Sequence, residues 1–267
     1  MVKQSQLLIL AGIMFLAGCH PKIKETNDEI YSRHLQKHIS LTVISTPVPK
    51  NKGDFNLLIL NNGQDMQKAG ITNIVDSLYR KKLIKPLVIV SVHAFDPAQE
   101  YGVSGFTDEK NLGSLASKYA DFVVNELLPF VKKKSGVRSF STVSIAGSGV
   151  AGISAIDIAW DNWQKFDKVG FLPDFANSNS NVDFSVLAEK ISKSRKKPRL
   201  QYWLDQMDDI KNSQRNDSTS MERLFDALKL KGQEPGVERV GMEGDKDRFI
   251  PFRDSFFQFL MWINQVY

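Results

Sequence analysis

Among the 267 residues, the run Gly147-Ser148-Gly149-Val150-Ala151-Gly152 has the composition and spacing that bear most directly on chemistry. An apolar segment, Thr142 to Ala146, leads into it. A segment with an apolar stripe (Ile153, Ile156, Ile158, Ala159, Trp160) leaves it. A strand, a tight turn and a helix in this order carry Gly-x-Ser-x-Gly in acyl-transfer enzymes, where the turn lifts a serine hydroxyl above a sheet. In that frame the nucleophile position is Gly149, which has only a hydrogen to offer. Ser148 stands one residue early, and the frame around it, Ala146-x-Ser148-x-Val150, lacks the two glycines that the tight turn wants, so it is a fallback nucleophile. The same residues also fit Gly147-x-Gly149-x-x-Gly152, the dinucleotide pattern, with Asp174 at the end of the following strand. The motif lies in mid-chain, and small residues at a sharp strand–helix turn have a simpler cause in close packing.

A serine nucleophile needs a base. The four histidines are His20, His34, His38 and His93, all upstream of the turn, whereas this arrangement orders its triad as serine, acid, histidine. Loss of the serine or the histidine from such a triad costs on the order of a millionfold in turnover, roughly 8–9 kcal/mol of barrier. The residues therefore point away from hydrolysis by the usual serine route. A rearranged site would have to draw on Ser148, His93, Asp208, Asp209 and Asp247. His93 qualifies because it follows the apolar run Leu87 to Val92, at the strand end where such sheets place ligands. His34 and His38 are four apart, but Leu35 stands where a metalloprotease helix would have glutamate. No metal set and no cofactor is expected.

The elements that must hold these residues follow from periodicity. Ile39 to Ser45 alternates apolar and polar, as a half-buried strand does. Phe55 to Leu60 and Leu87 to Val92 are apolar runs interrupted only by Asn56 and Ser91, as parallel strands covered on both faces are. Lys168 to Leu172 and Leu200 to Leu204 are further strands. Helical spacing covers Ile71 to Lys82, Leu115 to Lys133, Met221 to Lys231 and Phe252 to Gln265. Strands alternating with helices imply an α/β fold with a doubly wound, mostly parallel sheet and helices on both faces. Apolar content of 42% and charged content of 24% fit one globular domain. The net charge of +5 is scattered along the chain and gives no reason to expect nucleic acid. Lys193 to Arg199 carries five positive charges, expected to be a solvated helix end, with a binding patch as the minor alternative.

The N-terminus has the pattern of a processing segment. Lys3 precedes an apolar stretch, Leu7 to Leu16, that is short for a bilayer span and suited to a signal peptide. It ends Leu16-Ala17-Gly18-Cys19, which resembles the lipobox of bacterial lipoproteins, with Cys19 as the acylated residue. Cys19 is the only cysteine, so no internal disulfide can form. Residues 1–18 are expected to be a signal peptide, 19–38 a lipidated tether and 39–267 the folded domain. The expected address is the cell envelope, anchored at the outer membrane through Cys19, because His20 stands where aspartate would signal inner-membrane retention.

Further stretches carry a family likeness: Leu57-Leu58-Ile59-Leu60-Asn61-Asn62-Gly63-Gln64-Asp65, Val92-His93-Ala94, Gln99-Glu100-Tyr101-Gly102, and Tyr119-Ala120-Asp121-Phe122 through Glu126-Leu127-Leu128-Pro129-Phe130. With the turn and the final helix, they resemble the esterase family of α/β-hydrolases, which includes esterase-D-like and siderophore-esterase-like enzymes. The resemblance runs from about Tyr31 to the C-terminus. It implies an α/β-hydrolase domain with its nucleophile position at Gly149, its acid near Asp209 and its histidine position at Asp247. The oxyanion segment would fall on Gly63, Gln64 and Asp65, after Asn62. An aspartate at 247 is a feeble proton acceptor at neutral pH. The expectation is a membrane-anchored, esterase-like lipoprotein without catalysis that binds a small ligand or a protein partner. An active ester hydrolase using Ser148 is the alternative.

Overall fold

The computed structural model describes residues 23–47, 55–65, 69–137, 139–173, 182–208, 217–241 and 250–265. Cys19, Asp174, Asp209 and Asp247 lie outside them.

Eight strands form one sheet: β1 (Lys24–Ser32), β2 (Lys37–Ser45), β3 (Asn56–Leu60), β4 (Leu87–Val92), β5 (Thr142–Ser148), β6 (Lys168–Leu172), β7 (Gln201–Asp208) and β8 (Gly236–Gly241). Their spatial order is β1-β2-β4-β3-β5-β6-β7-β8. β2 runs antiparallel to both of its neighbours, β1 and β4, and the neighbouring pairs from β4 through β3 to β8 are all parallel. The helices are α1 (Ile71–Arg80), α2 (Pro97–Glu100), α3 (Ala116–Phe122), α4 (Leu128–Ser135), α5 (Val150–Asp161), α6 (Ser185–Lys193), α7 (Asp217–Leu230) and α8 (Ile250–Ile263).

The alternation of side chains across a strand divides the core in two. Leu57 and Ile59 join one apolar cluster with residues of α3 to α7, while Leu58 and Leu60 join another with α1 and α8. This is the doubly wound arrangement expected from the apolar runs. α8 brings Phe252, Phe256 and Phe259 fully under the sheet. Each such ring contributes about 1.5–3 kcal/mol of burial. Gly170 on β6 leaves room for one of them, since a Cβ there would lie 2.5 Å from the Phe259 ring.

The N-terminal boundary differs from expectation. The polar stretch assigned to a tether is instead a nine-residue edge strand, with Lys24 opposite Ser45 and Ser32 opposite Lys37. Its pattern misleads because only alternate residues of an edge strand meet protein. Ser32 is buried and bonded to Glu126, whose other oxygen accepts the Arg33 amide.

The long helix expected from Leu115 to Lys133 is interrupted by a π turn, Val123–Leu127, between α3 and α4. Pro129 at the start of α4 explains the location: it has no N–H to donate, and a regular turn would press its ring against the carbonyl four residues back.

Candidate functional site

β5 ends at Ser148, α5 begins at Val150, and Gly149 alone makes the turn between them. Its φ of 56° and ψ of −134° lie where side-chain-bearing residues are strained. A strained strand-to-helix turn is the geometry that presents a nucleophile at the carboxyl edge of a sheet. Here the turn is intact and presents no side chain.

The flanking glycines keep that turn closed. A Cβ on Gly147 would lie 2.5 Å from the Ala151 carbonyl oxygen, and one on Gly152 would lie 2.4 Å from the Phe171 ring and 2.7 Å from the Gly147 oxygen. Contact within the protein thus accounts for the Gly147-x-Gly149-x-x-Gly152 pattern. Ser148 is buried, and its hydroxyl has no hydrogen-bond partner among the described residues. It pairs with Leu172 of β6 as the last residue of β5 and is not lifted above the sheet.

His93 follows β4, which β3 separates from β5. Its Nε2 lies 3.0 Å from the Thr42 hydroxyl on β2, toward the opposite side of β4 from the turn. Burial holds its imidazole below the ordinary histidine range. The structure thus brings His93 to a threonine on the neighbouring strand and not to Ser148. His38 lies 3.0 Å from Glu29 and His34 3.8 Å from Asp121, each with its own carboxylate.

Asp208 closes β7. Three residues earlier, Asp205 is buried and accepts a hydrogen bond from the Ser255 hydroxyl of α8. That carboxylate, absent from the sequence reading, joins sheet to helix.

Gly63–Asp65 form a short 3₁₀ turn after β3. Gly63 is required for close approach, because a Cβ there would fall 2.4 Å from the Cβ of Ser91. The preceding Asn62 has a φ of 60° and donates its amide to the Tyr101 hydroxyl at 2.7 Å. Gln64 is exposed and donates to the Asn62 side chain at 2.6 Å.

A buried polar network underlies this turn, and the sequence reading missed it. Asn61 donates through Nδ2 to the Ala151 carbonyl at 3.1 Å, in the first turn of α5, and accepts from the Tyr119 hydroxyl at 2.8 Å. Tyr101 packs edge-on against Tyr119, with ring centroids 5.1 Å apart. Burial pushes both phenols well above the usual tyrosine range. Beside them Glu100, fully buried, accepts from Lys37 at 2.6 Å and from the Asp96 amide at 3.2 Å. The available signal was the pair Asn61-Asn62 directly after the apolar run Leu57 to Leu60.

The loops at the carboxyl edge of the sheet leave apolar side chains in solvent: Val150 is 50% exposed, Phe95 81%, and Phe106 and Leu112 45% each. All four follow the carboxyl ends of β4 or β5 in sequence. Among the described residues, no group of three or more metal-ligating side chains converges.

Residues 32–231 match the family described as "Putative esterase". The chain belongs to that family. Its fold is shared with a ferulic acid esterase at 16% identity and a TM-score of 0.69, over 92% of this chain and 100% of the other. It is also shared with the enterobactin esterase of Shigella flexneri, at 19% identity and a TM-score of 0.69, over 91% of this chain and 60% of the other. An IroE-like serine hydrolase from Shewanella oneidensis aligns at 13% identity and a TM-score of 0.63, over 90% of this chain and 78% of the other. No curated protein sequence matches the chain. At these identities the solved neighbours establish a common α/β-hydrolase-like fold.

Proposed function

We propose that this esterase-family chain is a non-catalytic binding module, held on the cell envelope by lipid on Cys19. The observation that carries the reading is the backbone at Gly149. The turn retains the nucleophile's strained geometry while its side chain is a hydrogen. A hole lined by amides has no covalent intermediate to stabilise when the attacking group is missing. The buried Ser148 hydroxyl and the engagement of His93 with Thr42 support the same reading. The exposed Val150, Phe95, Phe106 and Leu112 support a ligand or partner with apolar surface at this edge. The enterobactin and ferulic acid esterases named above suggest an aromatic acyl compound as the first ligand class to try.

The test is hydrolysis of nitrophenyl esters by the purified protein, together with calorimetric titration of 2,3-dihydroxybenzoyl and feruloyl compounds. The expected result is no turnover above the buffer rate. Turnover in the usual enzyme range, about 1–1,000 per second, that disappears in Ser148→Ala would overturn the proposal. Radioactive palmitate incorporation that is lost in Cys19→Ala is the expected result for the anchor.

A further inference from the structure

In a parallel α/β sheet, each helix ends and each following strand begins at the same edge. Here that amino edge carries a concentration of positive charge that the chain-wide composition conceals. The connection from α1 to β4 holds exposed Lys81 and Lys82 and half-buried Lys85. The last turn of α4 holds exposed Lys132 and Lys133. The connection from α6 to β7 holds exposed Arg195, Lys197 and Arg199, and α7 ends at exposed Lys229.

Helix C-termini favour cations through the helix dipole, which accounts for Lys132, Lys133 and Lys229. It does not account for the loop residues. Basic groups of this edge that do have carboxylate partners include Arg80 with Asp76, Lys134 with Asp28, Lys190 with Asp157 and Asp161, Lys193 with Glu189, and Lys196 with Asp161. None of Lys81, Lys82, Arg195, Lys197 and Arg199 has one among the described residues. Two exposed leucines share the edge, Leu83 at 45% and Leu230 at 77%. The amino edge also carries exposed Asp167 and Glu234, so the positive charge there is an excess; the opposite, carboxyl edge carries Asp96, Asp108, Glu109 and Asp183 with Lys110 in its loops.

The register fixes where the N-terminal anchor joins this pattern. Lys24 pairs with Ser45, and Ser45 pairs with Val88 near the start of β4. β1 therefore begins at the amino edge. Only residues 20–23 separate Lys24 from Cys19. Five Cα steps reach at most about 18 Å. A chain acylated at Cys19 thus holds its basic edge close to the lipid headgroups. The nine residues of β1 rise about 26 Å from that edge toward the turn at Gly149.

We propose that the amino edge of the sheet is a docking surface for anionic phospholipid headgroups, so that the Gly149 turn faces away from the bilayer. The orientation rests on the anchor proposed above; the affinity of the edge for anionic lipid does not. The experiment therefore uses the Cys19→Ser chain. Its sedimentation is measured with vesicles of phosphatidylcholine alone and of phosphatidylcholine with 30% phosphatidylglycerol, in low salt and in 0.5 M salt.

The expected result is binding only to the anionic vesicles, reversed by salt. Lys81→Glu combined with Lys82→Glu, or Arg195→Glu combined with Lys197→Glu and Arg199→Glu, should weaken it by about tenfold or more. Lys110→Glu combined with Lys118→Glu, at the other edge, should leave it unchanged. Absence of binding in low salt, equal binding to both vesicles, or indifference to the first two sets would overturn the proposal. If wild type still incorporates palmitate, the anchor survives that failure. If the edge binds and palmitate is not incorporated, only the anchor falls.

Discussion

Tyr119 donates its hydroxyl to Oδ1 of Asn61 at 2.8 Å, and neither side chain reaches solvent. The same asparagine holds the first turn of α5 through the Ala151 carbonyl. Removing the hydroxyl leaves a buried acceptor without its donor. Tyr119→Phe should therefore lose about 1–3 kcal/mol of stability, read as a lower midpoint in urea denaturation. An unchanged midpoint would mean that the bond contributes nothing net.

Gly152 should not tolerate a methyl group. The added carbon would meet both the Phe171 ring and the Gly147 carbonyl, and overpacking of this kind costs about 1–3 kcal/mol or more. Gly152→Ala should lower the thermal midpoint, and no nicotinamide dinucleotide should raise the midpoint of wild type. A dinucleotide-dependent rise would restore the phosphate-cradle reading of these glycines.

Putting the nucleophile back should cost stability without producing an esterase. Gly149→Ser forces a side-chain-bearing residue into φ 56°, ψ −134°, a penalty of about 1–3 kcal/mol. Ester hydrolysis should stay at background, because no imidazole is supplied to accept the proton. Ester turnover by this single variant would show that some other base is within reach.

Lys168 offers a test by pH. Burial, the largest influence, lowers its amine from the usual 10.5 to about 8, with Asp167 opposing and Lys85 adding to the effect. Between those two values the unfolded chain holds a proton that the folded chain has released. Stability due to this residue therefore rises with pH across about 8 to 10.5 and is lost as pH falls through 8. The amine also donates to the carbonyls of Trp262 and Gln265, at 3.0 and 2.9 Å. Denaturation of wild type and Lys168→Met at pH 7.5, 9 and 10.5 should show the difference shifting in favour of wild type at the higher values. A constant difference would contradict the lowered amine.

The sheet was readable in the sequence where burial is symmetrical. β3 and β4 are covered on both faces and announce themselves as runs that are apolar apart from Asn56 and Ser91. β1 is covered on one side only and has few apolar residues, so charge and polarity disguised it as a linker. β8 and α6 escaped for a related reason: β8 reads Gly-Val-Glu-Arg-Val-Gly, and α6 places only Leu187, Ala188 and Ile191 in the core.

The site was legible at Gly149 because a tight turn is a local matter of spacing. Which hydroxyl or imidazole meets it depends on strand order, and strand order is not local. His93 illustrates this: its position at a strand end was evident, but its partner across on β2 was not. The link between Asn61 and Tyr119 spans 58 residues of sequence, beyond the reach of any periodicity.

The π turn between α3 and α4 has a consequence for the way this helix ages under mutation. Tyr119, Val123, Leu127 and Val131 are all buried and recur every fourth residue. In an ordinary α-helix that spacing precesses by about 40° per step, enough over three steps to swing the last member out of the core. The wider winding at 123–127 absorbs the drift, with Leu128 bonding back five residues to Val123. A one-residue deletion there would let the rod wind as an ordinary α-helix, and the eleven steps of 100° then left between Tyr119 and Val131 return to within about 20° of the same face. The turn should therefore accept the loss of one residue more readily than the gain of one.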